Sequence, residues 1–159
     1  MMKAIEARTF GIDGLALAEH AVPEPRRGEI RVRITAASLN YRDLAVLSGT
    51  YLPHLPLPYV PASDACGLVD AVGECVSRFA VGDRVVPCYI QGWRDGALTQ
   101  EQRANGTLGG PLPGVLREYI VVPAEDAIAA PAYLSDAEAS TLPIAALTAW
   151  SCLSLGGVK

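Results

Sequence analysis

Residues 58–86 read PYVPASDACGLVDAVGECVSRFAVGDRVV. Pro58 and Pro61 stiffen the entry to this stretch, because proline fixes φ and removes a backbone donor. Gly73 closes one apolar run, Leu68-Val69-Asp70-Ala71-Val72, and Gly82-Asp83 opens another, Arg84-Val85-Val86. Glycine tolerates the positive φ that tight turns require. The pattern describes two short strands joined by a loop that crosses Phe79. Taken alone it fits any β-rich domain.

Working outward toward the N-terminus, Glu29-Ile30-Arg31-Val32-Arg33-Ile34-Thr35 alternates cleanly and puts Ile30, Val32 and Ile34 on one face of a half-buried strand. Before it, Met2 to Arg8 reads as a strand, Gly11 to Gly14 as a turn and Leu15 to Ala18 as the return strand. Between the alternating strand and the central stretch, a short helix is expected from Asn40, its N-cap, to Gly49, with Tyr41, Leu44 and Leu47 on one side. The segment TYLPHLPLP, residues 50–58, is too rich in proline for regular structure.

Toward the C-terminus, residues 87–113 form a long polar, glycine-rich excursion with one helical turn near Thr99 to Arg103. An ordered loop of that length is either functional or a mobile surface insert. Strands are expected at Val115 to Val122 and Ala127 to Ala129. Ser135 and Glu138 have capping-box spacing, so a helix starts there. A second helix runs from Ile144 to about Leu155, with Pro143 in its first turn and Gly156-Gly157 at its end. The expected fold is mainly β with short helices, a barrel or a sandwich.

Half of the 159 residues are apolar and 19% are charged, the balance of a globular chain. A formal net charge of −4 and a pI near 5.1 argue against nucleic acid or an anionic membrane as main partner. No apolar run is long enough to span a membrane and the N-terminus lacks a signal-like core, which makes the cytoplasm the expected compartment. Cys66, Cys75, Cys88 and Cys152 form no Cys-x-x-Cys pair, and neither His20 nor His54 stands at ligand spacing from them. Four reduced thiols are expected rather than a zinc site.

The central stretch resembles the core signature of the medium-chain dehydrogenase/reductase family, and most closely its zinc-free, quinone-oxidoreductase-like branch. Zinc-dependent alcohol dehydrogenases carry Gly-His-Glu where this chain reads Ala62-Ser63-Asp64. The run from Gly114 to Pro123 is similar to the family's last barrel strands. Leu134 to Pro143 and Leu147 to Trp150 are similar to the linker into its cofactor domain. The resemblance implies a GroES-like, partly open β-barrel over residues 1–130. Residues 131–159 would be a helical linker and the start of a truncated Rossmann domain. No Gly-x-Gly-x-x-Gly occurs, so the dinucleotide-binding half is expected to lie outside this chain. The expected parent is an NAD(P)H-dependent oxidoreductase, a homo-oligomer acting on a small carbonyl, enone or quinone. Two other readings stand beside it: a non-catalytic GroES-like assembly domain, and a zinc enzyme with atypical ligands.

The same resemblance places the zinc-ligand positions at Asn40, Ser63 and Ile144, with Asp64 in place of the nearby glutamate. Asparagine and serine are poor zinc ligands and isoleucine is none, so no metal residue is assigned. Without a Lewis acid, developing charge on a substrate oxygen needs hydrogen-bond donors. Asn40, Tyr51, Arg42 and Asp64 are the candidate catalytic residues, and Asn40 and Thr148 the candidate cofactor contacts. Each has a plainer reading. Asn40 fits a helix cap, Tyr51 a packing residue, and Arg42 with Asp43 a structural ion pair. Ser63-Asp64 fits a turn, and Thr148 an ordinary helix residue. Trp93 is either a wall of the substrate cleft or the anchor of its own loop. The last helix should present Ala149, Trp150 and Leu153 as an apolar face for the missing domain or for self-association.

Overall fold

A computed structural model describes residues 1–156 of the chain. Its centre is β3 (Glu29–Ser38), where the alternation read from the sequence leaves Ile30 and Val32 fully buried. β4 (Asp64–Val72) pairs antiparallel on one side of β3 and β6 (Tyr119–Pro123) on the other. β5 (Arg84–Pro87) and β7 (Ala127–Ala129) complete a five-stranded sheet of order β6-β3-β4-β5-β7. Two register shifts in β3, at Arg31/Val32 and Ile34/Ala36, bend the sheet.

The order of strands forces the sheet to curl. β6 and β7 are its two edges, yet only the 3-10 turn Ala124–Asp126 separates them. Such a turn rises about 2 Å per residue, whereas four strand gaps span about 19 Å. The turn therefore brings the end of one edge strand to the start of the other, and the sheet curls into the partly open barrel expected from the sequence. Ile30, Val32, Val69, Val85, Ile120 and Val122 fill its inside, and Phe79 plugs it from the loop between β4 and β5.

A hairpin of β1 (Met2–Ala7) and β2 (Leu15–His20) lies against the barrel. It is tied on by Ile5 N donating to Leu116 O (2.8 Å) and Ala7 N to Tyr59 O (2.8 Å). These bonds explain why the run from Val115 is not a strand until Tyr119. Its first residues leave the β3 ladder to meet β1 and the Pro61–Ala62 backbone. β4 also starts earlier than its apolar letters imply, at Asp64, because the buried Asp64-Ala65-Cys66-Gly67 segment pairs with β3.

The helical elements follow their caps. α1 (Tyr41–Leu47) buries Asp43, Val46 and Leu47, not the Tyr41-Leu44-Leu47 face expected; Tyr41 is 85% exposed. Asp43 turns inward to accept from Asn40 N at 2.8 Å, and Val46 and Leu47 follow it into a cluster with Ala7, Leu55 and Tyr59. Arg42 and Asp43 form no direct ion pair; the Ser63 hydroxyl stands between them, accepting from Arg42 at 3.3 Å and lying 3.4 Å from Asp43 Oδ1. Thr99 caps α2 (Gln100–Asn105), and Ser135 caps α3 (Asp136–Ala139) as the sequence indicates. The chain then makes a π-helical turn, Leu142–Ala146, before α4 (Leu147–Leu155). Pro143 has no N–H to give, and Ala146 N reaches Thr141 O at 3.2 Å, so the expected single helix begins as a wide turn. Trp150 and Leu153 on α4 are more than half exposed. Gly157 lies outside the described residues. Among those described, no helix is long and apolar enough to cross a membrane.

Candidate functional site

Three elements converge on Asp64. The entry to α1 brings Asn40, whose Nδ2 donates to Asp64 Oδ2 at 3.0 Å. The π turn brings Ile144, whose backbone N–H donates to the same oxygen at 3.2 Å. The first residue of β4 is Asp64 itself, fully buried, and its Oδ1 has no protein partner. Burial pushes this carboxyl up to about 6, against the pull of the Asn40 and Ile144 hydrogen bonds. Asn40 occupies the N-cap position in a capping box with Asp43, and its Nδ2 is turned to Asp64.

Beside this knot Arg42 is held in a cage of oxygens. Its guanidinium donates to Gly110 O at 2.6 Å, Thr107 Oγ1 at 3.2 Å, Ser63 Oγ at 3.3 Å and Gly109 O at 3.3 Å. Tyr89 and Tyr51 flank it, with ring centres 5.1 and 5.5 Å from the guanidinium carbon. Tyr51 is otherwise 59% exposed. Arg42 thus pins the end of the long excursion to α1 and carries a positive charge under two aromatic rings. Ser63 donates to Leu108 O at 2.8 Å and is thereby committed to the excursion.

An apolar cavity of about 670 Å³ opens next to the knot, between the end of β5, the excursion and α4. Ile144, Leu147 and Thr148 form one wall; Tyr89, Ile90 and Trp93 form the other. Tyr89 and Ile144 border both, so the cavity adjoins the polar cluster. Trp93 is seated by its neighbours. Buried Asp126 accepts from Gly92 N at 2.9 Å and from Arg94, and Trp93 Nε1 donates to Gly96 O at 3.2 Å.

This architecture is that of a known domain. The model of the alcohol dehydrogenase GroES-like domain matches residues 26–132. This chain belongs to that family. A zinc-type alcohol dehydrogenase-like protein of Schizosaccharomyces pombe is 43% identical over 144 residues, covering 90% of the chain and 41% of the relative. A chloroplastic quinone-oxidoreductase homolog of Spinacia oleracea is 34% identical over 158 residues, 97% of the chain and 42% of the relative. A crystal structure of an NAD-dependent alcohol dehydrogenase superposes with a TM-score of 0.87 at 37% identity, covering 99% of the chain and 48% of that structure. The GroES-like chain thus spans less than half the length of each.

Within the GroES-like domain, four sequence-derived candidates gather in one place: Asn40 bonds to Asp64, and Arg42 stacks on Tyr51. Thr148 stands apart from them on α4, exposed to the cavity. The positions matched to zinc ligands also gather, since Asn40 and Ile144 both reach Asp64 and Ser63 precedes it. Their chemistry does not fit zinc: a carboxamide, a hydroxyl and a hydrocarbon offer no imidazole or thiolate. Among the described residues, no three His, Cys, Asp or Glu side chains come together. Sequence reasoning missed Tyr89 and Asp126. Tyr89 follows the strand-ending Pro87 by two residues, a place where strand ends supply site residues, and that signal was available. Asp126 gives no such signal.

Proposed function

We propose that the chain is the substrate-side half of a zinc-independent, NAD(P)H-dependent oxidoreductase that reduces an apolar conjugated carbonyl, an enone or a quinone. The observation that carries this reading is the Asn40–Asp64–Ile144 knot. At the positions matched to zinc ligands, Asn40 and Ile144 offer no imidazole or thiolate, and the Asn40 amide and the Ile144 backbone N–H both donate to Asp64 instead. The name of the Spinacia oleracea relative, a quinone-oxidoreductase homolog, agrees with this reading, whereas the Schizosaccharomyces pombe relative is named zinc-type.

A reduced nicotinamide, when bound, would supply the hydride. The chain's own residues would bind and orient the acceptor. Ile90, Trp93 and Leu147 exclude water around its apolar body and so strengthen nearby hydrogen bonds. Asn40 has one N–H engaged by Asp64 and a second that is uncommitted, so it can donate to an oxygen gaining negative charge. Asp64 orients that amide. The Arg42 charge lies nearby, fixed by its oxygen cage. Thr148 offers a hydroxyl at the α4 wall for the cofactor amide. Residues 1–130 would form the catalytic domain and residues 131–159 the arm toward a nucleotide-binding domain.

The test is Asn40→Ala in the full-length reductase. As an oxyanion-type donor Asn40 should contribute about 2–4 kcal/mol to kcat/KM with an enone substrate. An unchanged kcat/KM with a lowered Tm would leave Asn40 a structural residue only. Stoichiometric zinc by elemental analysis of the active enzyme would overturn the zinc-independent reading.

A further inference from the structure

A second groove, of about 320 Å³, lies on another part of the barrel and shares no lining residue with the first. Leu55, Pro56, Pro58, Pro111 and Pro113 form apolar walls, and the Tyr59 ring closes one side. Arg117 lines the same groove. Its Nε is fully buried with no hydrogen-bond partner. No carboxylate compensates it: burial alone acts on the guanidinium, drawing it down to about 10. Glu6, the acidic residue of the groove, lies 2.9 Å from Nε2 of His20, which also lines the groove, and 3.8 Å from Arg8 Nε.

A guanidinium whose Nε is buried without a partner and that no carboxylate compensates is a costly feature, and its fork of N–H donors beside apolar walls matches a planar anion. We propose that this groove binds a small organic monocarboxylate, with its two oxygens on Arg117 and its apolar body among the prolines. One cation balances one negative charge, and the Glu6 carboxylate disfavours a dianion. Apolar walls favour a hydrocarbon body over a bare inorganic ion. The site is independent of the oxidoreductase reading.

Benzoate and inorganic phosphate serve as probes in amide NMR titrations of the chain at constant ionic strength. Benzoate should shift the amides of Glu6, Tyr59 and Arg117 saturably, and phosphate should not. Arg117→Met should weaken benzoate about tenfold to a hundredfold, the loss of a charge-assisted pair. Arg27→Met, on an exposed turn, should leave it unchanged. Benzoate shifts that fail to saturate, or that map away from the groove, would overturn the proposal. So would undiminished binding by a folded Arg117→Met, or phosphate binding as tightly as benzoate. If Arg117→Met does not fold, the wild-type shift map decides alone.

Discussion

Asp64 holds a carboxylate where water cannot reach it, and that has a sign that can be measured. Unfolded, the group titrates near 3.8; folded, burial pushes it up to about 6. Between those values the folded state binds the extra proton, so this residue's contribution falls as pH rises and is fully unfavourable above pH 6. At 1.36 kcal/mol per pH unit the ceiling is about 3 kcal/mol. Asp43, also raised by burial, slopes the same way. Asp64→Asn keeps an oxygen for Asn40 and Ile144 and removes the charge, but it buries a new N–H₂ without a partner. The variant should gain about 1–2 kcal/mol at pH 7 and lose about 1 kcal/mol at pH 4, where little of the carboxylate penalty remains to offset the new N–H₂. Thermal melts from pH 4 to 8 check this; equal melting temperatures at pH 7 would show the carboxylate to be well compensated. Nothing in the letters Ala62-Ser63-Asp64 announces such burial. A serine and an aspartate beside a proline read as an exposed turn, and only the pairing of Asp64 with Ser38 on β3 carries them inside.

At the scale of elements, the loop that walls the cavity depends on a residue outside it. Asp126 belongs to the turn between β6 and β7, yet it holds Gly92 and Arg94 on either side of Trp93. Asp126→Ala leaves the Gly92 N–H without its acceptor and should cost about 1–3 kcal/mol. Read in a Trp150→Phe background, which leaves Trp93 as the sole indole, the fluorescence should become that of a more mobile, water-exposed indole. Unaltered Trp93 emission would show that its bond to Gly96 suffices. Sequence reasoning resolved the elements whose cause is local. β3 shows its period, α3 its capping box, and β7 its place between turns. It failed where the cause is remote. The inward face of α1 is set by Asp43 bonding back to Asn40 N. The strand start at Tyr119 is set by the hairpin drawing off Leu116. Asp126 contacts the loop across more than thirty positions of sequence, a pairing no local pattern encodes.

For the whole molecule, the turn pattern of residues 58–86 indicates only a β-rich domain, and the family and the barrel were legible from the resemblance that this stretch carries. The groove at Arg117 was not, because it is assembled from β1, the 55–60 segment and the 111–117 segment. The three-residue turn between β6 and β7 has a further effect. It is the seam where the curled sheet closes, and Asp126 within it receives both Cys88 N (through its backbone oxygen, 2.7 Å) and Gly92 N (through its side chain, 2.9 Å). The root of the long loop cannot be released without opening the seam, and the seam cannot open without unpairing β5 from β7. In hydrogen–deuterium exchange the amides of Cys88 and Gly92 should therefore be protected to the same free energy as Ile120 and Val122 in the core. The tip of the loop beyond Arg94 should exchange through small local openings. Fast exchange at Gly92 with a protected Val122 would separate the two. Shared protection would make the loop's anchorage part of the same cooperative unit as the barrel, so that the cavity wall persists for as long as the fold does.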